Sequence, residues 1–355
     1  MEAKKISTFK VAATYIGTIV GAGFASGQEI LQFFVVFGSN GLWGLILVTT
    51  LFMVFGYIIM NLGQRLNSKS HLKIIQHTGG KYLGGVIDFI ITFFLFGALT
   101  AMIAGSGAMF NQTFHIPVIW GNLLMAFVTA ITVLTGIRGV INSISFVVPF
   151  LLVSAVGVSI FSIFMLPPNV GNIQVASQTS GLVGNWLWSA ILYTSYNTLI
   201  SIAILGPLGA NAKDRKTIRN GAILGGLGLG LGAIAIYFAL FKNLNAVTGF
   251  EIPMVLIAGQ ISFAVLIIYS IVLLAEVYTT AVGSLFGFTA RFAELESGKA
   301  ITIVVGATIV AFMVSLFGFS NLVKYLYPVV GYGGVVLLAL LVYSRFKRCD
   351  TITQR

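Results

Sequence analysis

Long apolar runs decide what this chain can fold into. Residues 41–64 and 139–165 contain no charged side chain, and the other long runs contain at most two. Charged residues make up 8% of the chain, whereas a soluble domain carries about 25%. The runs are continuous rather than alternating, so they predict membrane-spanning helices and exclude a β-barrel. We therefore predict an all-α integral membrane protein whose solvent is the lipid bilayer.

About ten of these runs are long enough to cross a bilayer, because a spanning helix needs roughly 20 apolar residues. The connecting segment 71–77 is predicted as a short interfacial helix, and segment 243–258 as a helix that dips into the outer vestibule. The remaining loops leave no room for a soluble domain. The predicted spans lie near residues 8–37, 41–64, 83–111, 117–136, 139–165, 184–207, 219–241, 259–290, 299–318 and 321–344.

The first run also fits a cleaved signal peptide in part. Three lysines precede it, and the small residues of segment 22–25 resemble a cleavage site. However, the apolar run continues through segment 30–37 to a spanning length. We therefore interpret residues 8–37 as the first span.

The basic residues test the predicted topology. If the N-terminus lies inside, 18 of the 20 lysines and arginines fall on the inner face, and only Lys242 and Lys324 fall outside. This asymmetry follows the positive-inside rule and predicts cytoplasmic N- and C-termini in a bacterial-type inner membrane. It also explains the net charge of +11 without a nucleic-acid partner.

The ten spans divide into two halves of five, residues 8–165 and 184–344, followed by a tail at 345–355. The first span of each half contains an interruption. Three glycines, Gly17, Gly21 and Gly23, lie inside the first span, and the polar segment 193–198 lies inside the sixth. Small residues at such spacing often serve only close helix packing. Matching interruptions in two halves instead favour an inverted repeat with broken helices, which line the binding site of a secondary transporter.

A break of this kind has a physical use. Backbone groups freed from a helix cannot face lipid, so they must line a cavity. There, amide groups at the start of a half-helix attract anionic groups, and carbonyl groups at the end of a half-helix attract cations. We therefore predict a single transporter domain, residues 1–355, that binds a small polar solute at the two interruptions.

Segment 16–24 resembles the first-helix glycine motif of the amino acid–polyamine–organocation superfamily, and segment 25–30 is similar to a branch of poorly characterised bacterial permease-like proteins. This resemblance implies the LeuT-type fold, with ten core helices of which the first and sixth are broken. It also implies that the solute binds at both breaks. The implied solute-binding residues are Gly21, Ala22 and Gly23 on the first span and Tyr193, Thr194, Ser195, Tyr196 and Asn197 on the sixth.

The resemblance further implies a cation site between spans one and eight. Gly17 and Val20 match the positions that supply carbonyl ligands, and Thr279 and Thr280 match a pair of hydroxyl ligands. All of these ligands are oxygens, as a hard cation requires. Phe24 stands where some relatives have an asparagine of a second sodium site, so that site is not expected.

Span five bears on the identity of the coupling ion. Proton-coupled relatives carry a lysine there, and none lies near Ser143 or Ser145. This departure favours sodium over a proton as the coupling ion. We expect no other cofactor or metal.

Three acidic residues lie within spans, where a charge is expensive. Glu276 precedes Thr279 and Thr280 by one turn and shares their face, so it is predicted to be a cation ligand or the carrier of a coupling proton, with a structural hydrogen bond as the alternative. Glu29 is predicted to gate the outer vestibule or to fix its half-helix. Asp88 is predicted to hold an ion pair or to mark topology.

These features predict a cation-coupled symporter of a small zwitterion, such as an amino acid or a related compound, that works by alternating access. Tyr325 and Tyr327 are assigned to the aromatic belt at the membrane interface. No phosphate-binding loop or catalytic constellation points to a pump or an enzyme. The alternative is a transporter-like receptor that binds a nutrient and signals without moving it.

Overall fold

The protein is described by a computed structural model that covers residues 6–68, 71–135, 150, 153–167, 182–293 and 297–346. The described chain is almost wholly helical. Its helices are α1 (Thr8–Ile19), α2 (Ala22–Ala25), α3 (Gln28–Phe33), α4 (Ser39–Arg65), α5 (His71–Phe114), α6 (Val118–Leu134), α7 (Val153–Met165), α8 (Trp186–Asn211), α9 (Arg215–Lys242), α10 (Leu244–Val247), α11 (Pro253–Ile261), α12 (Phe263–Thr289), α13 (Gly298–Ser315) and α14 (Phe319–Phe346).

Seven of these helices are long and apolar enough to cross a membrane, namely α4, α5, α8, α9, α12, α13 and α14. They coincide with seven of the predicted spans. Predicted span four is the shorter apolar helix α6, span five is described only in its later part as α7, and span one is divided. Ser143 and Ser145 lie outside the described residues. The all-α membrane architecture is thus confirmed, while the count of ten spans stays a prediction.

Two helix boundaries refine the sequence reading. Gly80 has a left-handed backbone (φ 66°) that divides α5, so the segment before it is a separate short helix, as predicted for residues 71–77. Ser262 separates α11 from α12 and caps the latter, because its Oγ accepts a hydrogen bond from the backbone N–H of Val265 at 3.2 Å. Span eight therefore begins at Phe263, and residues 259–261 belong to α11 rather than to the span.

The long helices pack in two groups. In the first group, α1 and α4 each pack against α8 and α9, and in the second group α5, α6, α12 and α13 contact one another. Helix α14 packs against both α8 and α5. Close glycine contacts hold the first group together: a Cβ atom at Gly209 of α8 would lie 1.9 Å from the carbonyl oxygen of Met60 on α4. Such small-residue contacts are typical of helices that associate within a membrane.

Candidate functional site

The first span breaks where its glycines predict. Helix α1 ends at Ile19, and Val20 (ψ 106°) and Gly21 (φ −124°, ψ −173°) are extended before α2 begins at Ala22. Because the chain leaves helical geometry there, the last carbonyl groups of α1 lose the N–H partners that a continuing helix would supply. Val20 and Ala22 are buried and Gly17 is half-buried, so this irregular backbone lies inside the protein.

A second break follows within the same span, and the sequence reading missed it. Gly27 has a left-handed backbone (φ 79°) and separates α2 from α3. The carbonyl groups before it are bonded to other helices: the Tyr269 hydroxyl donates to Ala25 O at 2.5 Å, and the Met254 N–H donates to Ser26 O at 3.0 Å. The Ser-Gly pair at 26–27 is a turn signal that could have revealed this break.

The structure corrects the predicted break in the sixth span, because Trp186–Asn211 is one continuous helix. Its polar side chains bond back to their own helix. Thr194 Oγ1 donates to Ala190 O at 2.9 Å, and Asn197 Nδ2 donates to Tyr193 O at 3.0 Å. Side chains that satisfy themselves in this way tolerate a helical backbone, and no glycine or proline lies between residues 186 and 205 to interrupt it.

The predicted solute-binding residues of α8 point in different directions. Ser195 Oγ donates to Gly331 O of α14 at 2.6 Å, so this side chain ties α8 to α14. Tyr193 and Tyr196 instead face the first span, and both are buried. The ring of Phe33 lies 5.4 Å from that of Tyr193 and 5.8 Å from that of Tyr196.

Glu29 of α3 lies at the break itself. The Tyr196 hydroxyl donates to Glu29 Oε2 at 2.5 Å, and only 7% of Glu29 is exposed. The other carboxylate oxygen covers Gly23, where an added Cβ atom would lie 1.9 Å from Oε1. The carboxyl group therefore joins the two spans that the sequence singled out. Its role as a gate stays a prediction.

Further aromatic residues complete this cluster. Tyr327 of α14 packs 5.2 Å from the ring of Tyr196, and Phe94 of α5 packs 5.6 Å from the ring of Tyr327. Tyr327 is 3% exposed, which corrects its assignment to the membrane-interface belt, whereas Tyr325 is 52% exposed. Sequence reasoning missed Tyr327 and Phe94, because nothing in their local pattern separates them from other apolar positions.

The predicted cation-site residues of α12 lie near the break, where Thr280 approaches Gly21. Thr280 Oγ1 lies 3.9 Å from the position of a Cβ atom on Gly21 and donates to Glu276 Oε1 at 3.4 Å. Thr279 Oγ1 donates to Glu276 O at 3.0 Å. Glu276 is buried, and its Oε2 atom has no hydrogen-bond partner among the described residues. Two buried carboxyl groups thus lie near the break: Glu29 lies against Gly23, and Glu276 is hydrogen-bonded to Thr280.

Neither carboxyl group has a basic partner in the part of the chain that the structure describes. Within the described ranges, no lysine, arginine or histidine forms an ion pair with Glu29 or Glu276. Asp88 of α5 differs, because it forms an ion pair with Arg291, which follows the end of α12. This is one of the two roles that the sequence predicted for Asp88. The described residues contain no cluster of three or more metal-ligating side chains. Within the described part of the chain, the two carboxyl groups near the break therefore have no basic counter-charge.

Comparison with solved structures identifies the fold. MhsT in complex with L-phenylalanine is 18% identical and aligns with a TM-score of 0.61 over 99% of this chain and 94% of that chain. A manganese transporter of Eremococcus coleocola is 14% identical and aligns with a TM-score of 0.63 over 99% of this chain and 91% of that chain. A Na⁺-coupled sialic acid symporter is 14% identical and aligns with a TM-score of 0.59 over 96% of this chain and 79% of that chain. The chain therefore has the LeuT-type fold, as the glycine motif implied.

Two proteins of Bacillus subtilis (strain 168) are similar over nearly the whole chain. The uncharacterised membrane protein YkvI is 29% identical over 349 residues, which cover 98% of this chain and 99% of that protein. The uncharacterised protein YyaD is 29% identical over 326 residues, which cover 92% of this chain and 93% of that protein. No family model matches. The protein is accordingly a multi-pass membrane protein of LeuT-type fold.

Proposed function

We propose that this protein is a cation-coupled symporter that moves a small zwitterionic solute, such as an amino acid or a related compound, across the inner membrane. One observation carries the proposal: two buried carboxyl groups lie near the extended backbone at Val20 and Gly21, Glu29 against Gly23 and Glu276 bonded to Thr280, which approaches Gly21. An intramembrane carboxyl group without a basic partner is expensive unless a cation or a proton compensates it. Two such groups beside a helix break are typical of a site that loads and releases positive charge.

The coupling cation binds between α1 and α12 in this proposal. The hydroxyl groups of Thr279 and Thr280, the Glu276 carboxyl group and the carbonyl groups of Gly17 and Val20 form its ligand set. The free Oε2 atom of Glu276 supports this assignment, because an unbonded buried carboxylate oxygen is available to a ligand. Oxygen ligands suit a sodium ion, and the same carboxyl group can carry a proton instead.

The solute binds on the opposite side of the break. Its amino group pairs with the Glu29 carboxyl group, and its body contacts Gly21–Gly23 and the rings of Tyr193 and Tyr196. The Tyr193 hydroxyl is buried and has no hydrogen-bond partner of good geometry among the described residues, so it is available to a polar solute. L-phenylalanine bound to MhsT is a precedent for an amino acid on this fold.

Alternating access follows from the two packing groups. Helices α1, α4, α8 and α9 move against α5, α6, α12 and α13, and the break lies where α2 contacts α12 across them. The inverted relation of residues 8–165 to residues 184–344 gives the inward-open and outward-open states their symmetry. The predicted cytoplasmic termini place the basic loops inside.

The test is the thermal stability of the purified protein against a panel of amino acids, with and without sodium. A ligand that binds the folded state increases the free energy of unfolding by mass action, by about 2.7 kcal/mol at 100 times its Kd, and so raises the melting temperature. A shift that needs both sodium and one solute supports the proposal. A shift that ignores sodium but follows pH makes the coupling ion a proton. No shift with any amino acid contradicts the proposed solute class, and solute binding without flux in proteoliposomes identifies a receptor.

A further inference from the structure

A second polar pocket lies away from the candidate transport site. Tyr57 of α4 and Arg215, Lys216 and Arg219 of α9 line a cavity of about 470 Å³. The cavity opens on the face that the basic residues predict to be cytoplasmic. Tyr57 lies two turns before the end of α4 at Arg65, which is about 12 Å along a helix axis. Tyr57 lies within the predicted span 41–64, so the pocket reaches back along α4 and is not confined to the loop.

The three basic side chains lack a neutralising partner in the described structure. Asp214, the nearest acid in sequence, caps α9 by accepting the backbone N–H of Thr217 at 2.6 Å. This hydrogen bond to the Thr217 backbone lowers the pKa of Asp214. The Asp214 carboxylate is therefore bonded to the start of α9 rather than to the basic side chains. Basic residues in a first helical turn add to the positive end of the helix dipole. The three exposed basic side chains thus concentrate positive charge at the pocket, which favours an anionic ligand.

Tyr57 distinguishes this pocket from an ordinary basic loop. Its hydroxyl accepts a hydrogen bond from Arg215 Nε at 2.8 Å, which fixes the guanidinium group across the gap between α4 and α9. Among the described residues, the two terminal nitrogens of this guanidinium group have no hydrogen-bond partner, and their planar fork matches phosphate oxygens. The positive-inside rule needs charge on this loop, but it needs neither a pocket nor a hydroxyl group that braces one arginine.

We propose that this pocket binds the phosphate group of an anionic phospholipid and thereby joins α4 to α9. The position of Tyr57 within a predicted span favours a lipid over a soluble phosphate compound. Each basic residue near a membrane surface strengthens binding to anionic lipid by roughly fivefold. Both helices belong to the group that includes α1 and α8, so the lipid would hold the moving group of the proposed transporter as one body.

The experiment compares the melting temperature of the full-length protein in detergent during titration with phosphatidylglycerol, phosphatidylcholine or inorganic phosphate. We expect phosphatidylglycerol to stabilise the native protein most. The double variant Arg215→Gln, Arg219→Gln should bind it roughly 25-fold more weakly, from two fivefold losses. Tyr57→Phe keeps every charge, so its affinity for phosphatidylglycerol should fall by a smaller factor. Lys299→Gln is the control, because Lys299 is exposed, is predicted to lie on the same face and is not part of the pocket.

Two results would overturn the proposal. One is equal stabilisation of the native protein and the double variant by phosphatidylglycerol. The other is a response to inorganic phosphate that depends on Arg215 and Arg219 while the lipid response does not, which would assign the pocket to a soluble anion. If the double variant does not fold, native mass spectrometry of Tyr57→Phe decides: it should retain fewer phosphatidylglycerol molecules than Lys299→Gln, and equal retention would also contradict the proposal. None of these outcomes depends on the transported solute.

Discussion

The first and sixth spans share one predicted feature, a polar or glycine-rich interruption, and differ in what the structure makes of it. The first span breaks twice, at Val20–Gly21 and at Gly27. The sixth span, with five consecutive polar or tyrosine residues at 193–197, continues as one helix of 26 residues. Both spans nevertheless contact each other, and the Tyr196 hydroxyl of the sixth bonds to the Glu29 carboxyl group of the first.

The difference lies in what each residue type does to a backbone. Serine, threonine and asparagine can donate to a carbonyl group one turn earlier, so they remain compatible with a helix. Glycine lacks a Cβ atom and enters extended or left-handed conformations without a steric penalty. A glycine-rich interruption therefore marks a backbone site, whereas a polar interruption marks a side-chain site. In this protein an irregular stretch of backbone faces an intact helix that presents two tyrosine rings.

One added methyl group at the first break should have the largest effect. In Gly23→Ala the Cβ atom would lie 1.9 Å from Glu29 Oε1, so the carboxyl group must leave its place. We expect the solute affinity to fall roughly 100-fold, the equivalent of one lost hydrogen bond to a charged group. The matched control on α8 is Gly206→Ala, whose Cβ atom would meet only the tip of Ile74, at 2.5 Å. Equal solute affinity in both variants, measured by isothermal titration, would contradict the placement of the site.

Neutralising the carboxyl group without changing its shape sharpens the same comparison. Glu29→Gln should lower solute uptake into proteoliposomes roughly tenfold or more, because a charge-assisted hydrogen bond contributes about 1.5–3 kcal/mol. Tyr196→Phe removes the donor on the sixth span and should give a smaller loss. If Glu29→Gln takes up the solute at the rate of the native protein, this carboxyl group has a purely structural role.

The second break should matter for stability. In Gly27→Ala the side chain must adopt a φ of 79°, which strains the backbone by about 1–2 kcal/mol, and its Cβ atom would lie 2.8 Å from Met254. Gly232→Ala on α9 is the control, because its added Cβ atom finds only ordinary contacts from 3.5 Å outwards and should be neutral or stabilising. Thermal unfolding in detergent measures both, and equal melting temperatures would mean that the bend at Gly27 is not strained by a side chain.

The smallest effect is expected on the polar face of the sixth span. Ser195→Ala removes the hydrogen bond to Gly331 O and should lower the free energy of unfolding by about 1 kcal/mol, with unchanged solute affinity. A changed affinity would instead place Ser195 in the solute site, as the family resemblance implied. Thermal unfolding measures the stability of the variant, and a titration with the solute identified by the stability panel measures its affinity.

The sequence predicted the membrane architecture because apolar runs and basic loops report directly on the bilayer. It predicted the break at Gly21 because three glycines within one span weaken its helical backbone. It could not locate Tyr327 or Phe94 in the aromatic cluster, since their contacts depend on how α14 and α5 pack against α8. It also placed Glu29 outside the break, because only the turn at Gly27 brings the carboxyl group back over Gly23.

The central claim, that the break near Glu29 and Glu276 is a cation-coupled solute site, is tested most directly by flux. Proteoliposomes containing the native protein or Thr279→Ala with Thr280→Ala would be given a gradient of the identified solute, with and without a sodium gradient. We expect sodium to stimulate uptake by the native protein and to have no effect on the double variant, because the two hydroxyl ligands are lost. Sodium-stimulated uptake that is unchanged in the double variant would contradict the claim.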